Sequence, residues 1–543
     1  MLSNTVWLFS GIDFLYDAFD PLTPQGKRVK RTHRFITDEE ELAGQYDLTE
    51  AATSLARRRK TEMDRVEFHL KHITDITGIH ESAKMGTADV FVVKKFLLNY
   101  KAVVLLLDRQ GQRAFDLEFA LDDLLARLDV EDSGSESFYI SDRYRAELRE
   151  VRRKLRTADF KLKQLRGEMH NELLSDCGLN FRFREFLIVP NSLAASLSRD
   201  KVFVEPHDNT SVLVRPVMSE ECLQQYALRE KLALEEQKIE QAVLADLAVD
   251  IVGRLGELRD CARKIAQFDI SLARARLSKR FGLVRPSVSA YGTVAVRAGR
   301  LLPLEQKCKE ASRRYWPTDM RMETAHGVIH GSNMCGKTVV LRTLAFCQIA
   351  AQLGFFVPAE RFDTVLFDGV FFIGPSPILP TEGLSSFGME IVDMSRALES
   401  GGKRKLLLVD EFARTTNSKE AVALISGLLE WLADQRGPRI LLATHYRPLP
   451  RMKRVTYYVM KGLRWDRFED RYADQLAADP RTTLADRVSN IQECIEYKLL
   501  LDTEAIQAYD ALHVAAALGL NRDIVDRAVE YAVRDDGSEE SEI

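Results

Sequence analysis

The stretch GSNMCGKTVVLRT, Gly331 to Thr343, follows the apolar residues Val328 and Ile329 and opens a helix-like run to Gln352. Its spacing is Gly-x-x-x-x-Gly-Lys-Thr, ending at Lys337 and Thr338. Strand, glycine-rich loop and helix in this order form a phosphate cradle. Glycines let backbone N–H groups wrap phosphates, and the helix N-terminus adds positive potential. The lysine reaches the β- and γ-phosphates, and the hydroxyl after it ligates Mg2+. The stretch therefore predicts ATP and Mg2+ as ligands, with Gly331, Ser332, Asn333, Met334, Cys335, Gly336, Lys337 and Thr338 lining the nucleotide.

A second segment supplies carboxylates. LLLVDE, Leu406 to Glu411, reads as a buried strand ending in two acids, with Asp410 lying 73 residues after Lys337. One acid at such a place joins the Mg2+ shell and the next polarises water. Thr338 and Asp410 are thus the expected metal ligands, and Glu411 the expected general base. ILLATHY places His445 just past another apolar strand, at the end where α/β folds build ligand sites. A histidine there can sense the γ-phosphate. Lys337, Glu411 and His445 are the expected catalytic residues.

From about Arg285 the apolar runs GVIHG, TVLFDGVFFIG, KLLLVDEF, RILLATHY and RVTYYVM alternate with helix-like segments. This order predicts an α/β fold with a mostly parallel sheet. After about Arg481 the chain reads as helical and ends in the acidic DDGSEESEI.

The front half reads differently. The first 130 residues are mostly helical in pattern, up to the acidic, serine-rich stretch DVEDSGSES, Asp129 to Ser137. A long helix follows from about Asp142 to Leu174, with apolar residues at three- to four-residue steps. Between Arg143 and Arg166 it carries ten Lys and Arg against three Asp and Glu, a candidate phosphate-contacting stretch or an ordinary solvated face. A second long helical run spans Ser219 to Phe281, with Ser219 as its cap and Gly253 and Gly256 as its breaking points. Short β-type runs lie between the two, FRFREFLIVP, KVFVEP and SVLVRPV. The layout is two long arms with a small strand-rich tip.

The 543 residues carry a net charge of −4, so the whole chain is no cationic nucleic-acid binder. Seven scattered cysteines without a C-x-x-C fit a reducing compartment and no zinc site. With no run of 18 apolar residues and no basic leader, the expectation is a cytoplasmic protein with no membrane partner.

GSNMCGKT is similar to the GPNMGGKS loop of the MutS family, whose Asn-Met pair most other P-loop families lack. LVDEFARTTNS resembles that family's DE-hydrophobic-GRGTS box, and ATHY is the same in both. VPAE (Val357 to Glu360) recurs there, and GLSSFGMEI (Gly383 to Ile391) resembles the signature GRSTFMVEM. ALHVAAALGLNRDIVDRA (Ala511 to Ala528) is similar to the family's helical dimerisation segment, and RPSVSAYGTVAVRAGRLLPL (Arg285 to Leu304) to the opening of its ATPase domain. The arms resemble its lever and clamp.

The resemblance implies an α-helical core with long lever helices and a small β clamp tip. An ABC-type P-loop ATPase domain and a helical dimerisation segment would follow. The expected domains are residues 1–140, 141–282, 283–480 and 481–543. It implies that Asn333 positions phosphates and that Ser385 reaches the ATP of a partner subunit, in a homodimer or MutS-like heterodimer. DNA binding and DNA repair are the family-level expectation. Two boxes depart from the pattern, ARTTN (Ala413 to Asn417) and GLS at Leu384. The front is expected to leave no room for both a mismatch-reading domain and a connector domain, and a Phe-x-Glu, Phe203 to Glu205, falls between the arms. The load is then branched or structured DNA. The alternative is a protein client, such as a metabolic enzyme of the adenosylcobalamin-dependent aminomutase type.

Overall fold

The computed structural model describes residues 3–80, 84–131, 134–181, 184–332, 334–375, 386–446, 449–464, 467, 491, 493–502, 510–518 and 520–536. The fold is mixed, helical and α/β. It divides into two compact units, Met1–Leu22, Gly26–Lys60 and Gln267–Ile543 in the first, Thr23–Gln25 and Thr61–Ala266 in the second.

Four helices open the chain, α1 (Asn4–Ser10), α2 (Asp13–Ala18), α3 (Pro24–Arg31) and α4 (Glu39–Arg58). Ser3 and Asp38 cap α1 and α4 by accepting the N–H of Val6 and Glu41, as short polar side chains do. Their apolar partners come from far along the chain. Phe9 stacks on Phe372, Tyr46 donates to the Ala351 carbonyl at 2.8 Å, and the Ile36 N–H donates to the Gln352 carbonyl at 2.7 Å. These contacts join the opening helices to the first unit.

The second unit holds α5 (Lys60–His72), α6 (Thr87–Leu106), α7 (Arg109–Ala114) and α8 (Asp122–Leu128), then the first long helix α9 (Ala146–Cys177). The tip follows as β1 (Leu187–Pro190), α10 (Asn191–Ala194), β2 (Val202–Pro206) and β3 (Ser211–Pro216), an antiparallel sheet in the order β1-β3-β2. Ser219 caps α11 (Glu220–Gly253) through the Cys222 N–H, and α12 (Leu255–Phe281) restarts after Arg254. The long run thus breaks at Gly253. Pairs such as Arg145–Asp246 and Lys161–Glu221 occur in reverse order, so α9 and α11 run antiparallel. Val151, Leu155, Ala158 and Leu232 fill the seam between them. Phe203 and Glu205 lie on β2, where Phe203 is exposed and Glu205 faces Arg215 at 3.9 Å.

The rest of the first unit is α/β. It runs β4 (Ser287–Ser289), β5 (Val294–Gly299), α13 (Leu302–Glu310), β6 (Thr318–Met322), β7 (His326–His330), α14 (Lys337–Gln352), β8 (Arg361–Val365) and β9 (Gly369–Ile373). It continues with α15 (Ser386–Glu399), β10 (Lys405–Asp410), α16 (Ser418–Ala433), β11 (Arg439–Thr444), β12 (Val455–Leu463), β13 (Ile495–Leu501), α17 (Asp510–Leu518) and α18 (Arg522–Asp536). Six strands form one sheet in the order β13-β12-β7-β11-β10-β9, parallel except for β13. The central strands β7 and β10 are buried at every residue, as parallel strands covered on both faces must be.

Two expectations need correction. TVLFDGVFFIG is two strands in different sheets, because β8 joins a four-stranded sheet, β4-β8-β5-β6, and β9 joins the larger one. Asp368 sits at the crossing, where its carboxylate accepts the N–H groups of Lys403 and Arg404, each at 3.0 Å. The segment after Arg481 is not wholly helical either. Its IEYKLLL pairs with the edge of β12 as β13. Among the described residues, no helix is long and apolar enough to cross a membrane.

Candidate nucleotide site

The loop between β7 and α14 ends in Gly336, whose φ of +97° lies in the left-handed region. A Cβ there would stand 2.9 Å from the Tyr497 ring of β13, so glycine is required by conformation and by space. Met334 also takes a positive φ, 79°. Lys337 begins α14 with its side chain 5% exposed, and its Nζ donates to the carbonyls of Gly331 at 2.7 Å and Ser332 at 3.0 Å. Cys335 is buried in the same loop.

The parallel sheet brings the two acids to this loop. Thr338 Oγ1 donates to Asp410 Oδ2 at 2.7 Å. Glu411 Oε1 lies 3.8 Å from Lys337 Nζ and 3.7 Å from His445 Nδ1. Glu411 holds a left-handed φ of 52° while its N–H donates to the Ala443 carbonyl at 2.9 Å. A non-glycine residue in that conformation costs about 1–2 kcal/mol, and such strain gathers at functional sites.

Ala413, at φ 60°, is the third such residue of the site, after Met334 and Glu411. It stands where the resembled box has glycine. Glu390 of α15 accepts its N–H at 2.8 Å, and Tyr446 donates to its carbonyl at 3.2 Å. Burial pushes the Glu390 carboxyl above its usual range, while the Ala413 N–H and Arg414 oppose that shift. Glu390, Tyr446 and Tyr497 were not singled out from the sequence. Glu390 and Tyr446 fall inside quoted motifs, but their role depends on a backbone turn that no spacing announces.

Burial raises the pKa of Asp410, and the Thr338 hydrogen bond opposes it. The nearby Glu411 charge raises it further, and Lys337 lowers it. Asp410 Oδ1 is buried with no hydrogen-bond partner. An acid with one satisfied and one orphaned oxygen, beside a hydroxyl, fits a hard cation such as Mg2+. Among the described residues, no group of three or more His, Cys, Asp or Glu could hold a metal unaided. Mg2+ takes one or two carboxylates and completes its shell with water and phosphate oxygens. The arrangement can therefore cradle phosphates, hold a cation and present a carboxylate to water. Asn333 and Ser385 lie outside the described residues.

The basic stretch of α9 meets a different fate. Arg152 binds Asp142, Glu236 and Glu240 at 2.6–2.7 Å. Arg145 pairs with Asp246, Arg153 and Lys154 with Glu150, and Lys161 with Glu221. Arg166 lies over the Tyr226 ring. Among the described residues, Arg143, Arg149, Arg156, Lys163 and Arg166 form no ion pair.

Residues 327–534 match MutS domain V. The chain is 33% identical over 214 residues to the DNA mismatch repair protein MutS of Lactobacillus delbrueckii subsp. bulgaricus, covering 39% of this chain and 25% of that one. It is 30% identical over 273 residues to MutS of Myxococcus xanthus, covering 49% and 30%. It is 35% identical over 204 residues to MutS of Thermus aquaticus, covering 36% and 24%. The matches thus span about a quarter to a third of these relatives' length. The nucleotide loop and both acids lie inside the segment that matches MutS domain V.

Proposed function

We propose that the chain binds and hydrolyses ATP at this site and uses the cycle to drive a clamp on DNA, as a dimer in the cytoplasm. The observation that carries the reading is the convergence of Lys337, Thr338, Asp410, Glu411 and His445 on one loop, within 4 Å contacts. Backbone N–H groups from Met334 to Gly336 and the start of α14 face the phosphates. Lys337 exchanges its loop carbonyls for phosphate oxygens. Thr338 and Asp410 hold Mg2+, which when bound neutralises charge developing on the phosphoryl oxygens. Glu411 takes the proton from the attacking water, and His445 orients toward the γ-phosphate. In this reading Ser385 completes the partner's site, residues 141–282 form the lever and clamp, and residues 481–543 contribute to dimerisation.

DNA as the load rests on the printed function of the relatives. It would be branched or structured DNA held through its phosphates, a sequence-independent and salt-sensitive mode. The test measures binding of a four-way junction and a plain duplex, with ATP turnover, at two salt concentrations. Tighter junction binding and stimulated turnover at low salt are expected. No binding at low salt overturns the DNA reading.

A second reading, a protein client, is favoured by the paired charges of α9 and by the exposed Ile188, Leu193 and Phe203 at the tip. In that case a client protein stimulates turnover and DNA does not.

A further inference from the structure

A cavity of about 190 Å3 opens in the first unit between α3, α4 and α12. It has room for about six waters at roughly 30 Å3 each. Arg274 lines it and is 2% exposed. Burial brings its pKa down to about 10, so it stays cationic at neutral pH. A guanidinium this deep normally faces a carboxylate, since an unpaired buried charge is strongly unfavourable. Arg274 has none. Its Nη1 donates to Gln45, its Nη2 donates to the Leu353 carbonyl at 3.2 Å and meets His33 Nε2 at 3.1 Å, and its Nε is buried without a partner. His33 Nδ1 is likewise buried and unpartnered.

The surroundings add positive charge. Lys30 lines the cavity with its Nζ 5.2 Å from the centre of the Tyr16 ring and no acidic partner among the described residues. Arg34 lines its solvent side. The single carboxylate of the lining, Glu41, is gripped by Arg34 at 2.9 and 3.0 Å. Helix α3 presents Lys27, Arg28, Lys30 and Arg31 within eight residues and no acid. The site is also shaped for the guanidinium. At Gly354, φ +73°, a Cβ would meet Arg274 Nη2 at 3.0 Å and the Gln45 Cβ at 3.4 Å.

We propose that this cavity binds a small oxyanion of the phosphate class, with Arg274 as its buried cation and Lys30 and Arg34 at its solvent side. A compact, multiply charged anion suits it better than a single carboxylate. Three cations line the cavity and one acid offsets them, and two buried donors beside it, Arg274 Nε and His33 Nδ1, have no partner. Arg274 also holds the Leu353 carbonyl, just past the C-terminal end of α14, the helix that begins at Lys337. Free phosphate and a phosphomonoester share the required chemistry.

The experiment uses the full-length Lys337→Ala protein, which disables the nucleotide loop, and follows thermal unfolding in phosphate-free buffer. Inorganic phosphate is titrated against sodium chloride of equal ionic strength, with glycerol 3-phosphate in a parallel arm. A saturable rise in Tm with phosphate beyond the chloride control is expected. Adding Lys30→Gln should weaken the apparent affinity about tenfold, the effect of losing one charge-assisted contact. Adding Arg274→Gln should abolish the shift. A response to both anions extends the site to phosphomonoesters, and a response to phosphate alone confines it to the free ion. If Arg274→Gln does not fold, Lys30→Gln and Arg34→Gln decide. An equal midpoint in these variants, or no saturable shift in the Lys337→Ala protein, overturns the proposal. The outcome is independent of whether the chain hydrolyses ATP.

Discussion

The nucleotide loop and the α9–α11 pair both concentrate charge, yet they treat it in opposite ways. Along α9 and α11 cations meet anions on half-exposed surfaces, and Arg152, 23% exposed, has three acids. Around the loop, Lys337 and Asp410 are buried, one Asp410 oxygen has no partner, and Glu411 holds a strained backbone. Exposed pairs contribute little each, because water and salt screen them. Buried, incompletely satisfied charge is costly, so its persistence points to a ligand. Charge density alone does not mark a site; unfinished bonding does.

The comparison can be broken experimentally. The largest effect is expected at Glu411→Gln. ATP binding should persist while the steady-state turnover rate falls by about 10²–10⁴-fold, the range for a lost general base. Unchanged turnover would remove Glu411 from the chemistry. Next comes Asp410→Asn, which should lower Mg2+-dependent ATP affinity by at least roughly tenfold in a titration with and without metal. The same variant sharpens the point about buried charge. A carboxyl with a raised folded pKa binds its proton more tightly folded than unfolded, so stability falls as pH rises above the ordinary carboxylate range. Without Mg2+, Asp410→Asn should therefore unfold at a higher temperature than wild type at neutral pH. That advantage should vanish as pH falls below the ordinary carboxylate value.

On the other side of the comparison, Arg152→Ala strands three acids and should cost about 1–3 kcal/mol in denaturant unfolding. Arg153→Ala, at an exposed pair within one turn of helix, should cost under about 0.5 kcal/mol. Equal losses would erase the distinction between a network and a lone pair. The smallest change is Ala413→Gly. Relief of about 1–2 kcal/mol of left-handed strain opposes about 0.8 for the buried methyl and about 0.5–1 for backbone entropy. Stability should stay within about 1 kcal/mol, and a larger loss would show that Glu390 and Tyr446 grip an alanine-specific turn.

The parts of the site that were legible in the sequence are those whose meaning is local. Gly336, Lys337 and Thr338 declare a loop by spacing, and a strand ending in Asp410 and Glu411 needs only its own apolar run. What stayed hidden depends on pairing. TVLFDGVFFIG reads as one strand because hydrophobicity does not say which sheet a residue joins. IEYKLLL, after Arg481, needs the β12 edge to become a strand. Tyr497 enters the site only through that pairing. An amphipathic helix such as α4 reveals a face but not the partner it covers, so Tyr46 could not be traced to Ala351.

The Ile36–Gln352 contact has a consequence for synthesis, since its partners lie 316 residues apart. Helices α1 to α4 leave the ribosome before the Thr61–Ala266 unit, yet their partner α14 comes after all of it. At roughly 5–20 residues per second, their apolar faces wait about 15–60 s for it. The inserted unit can fold in that interval, while the opening helices are the part of the nascent chain most in need of a chaperone.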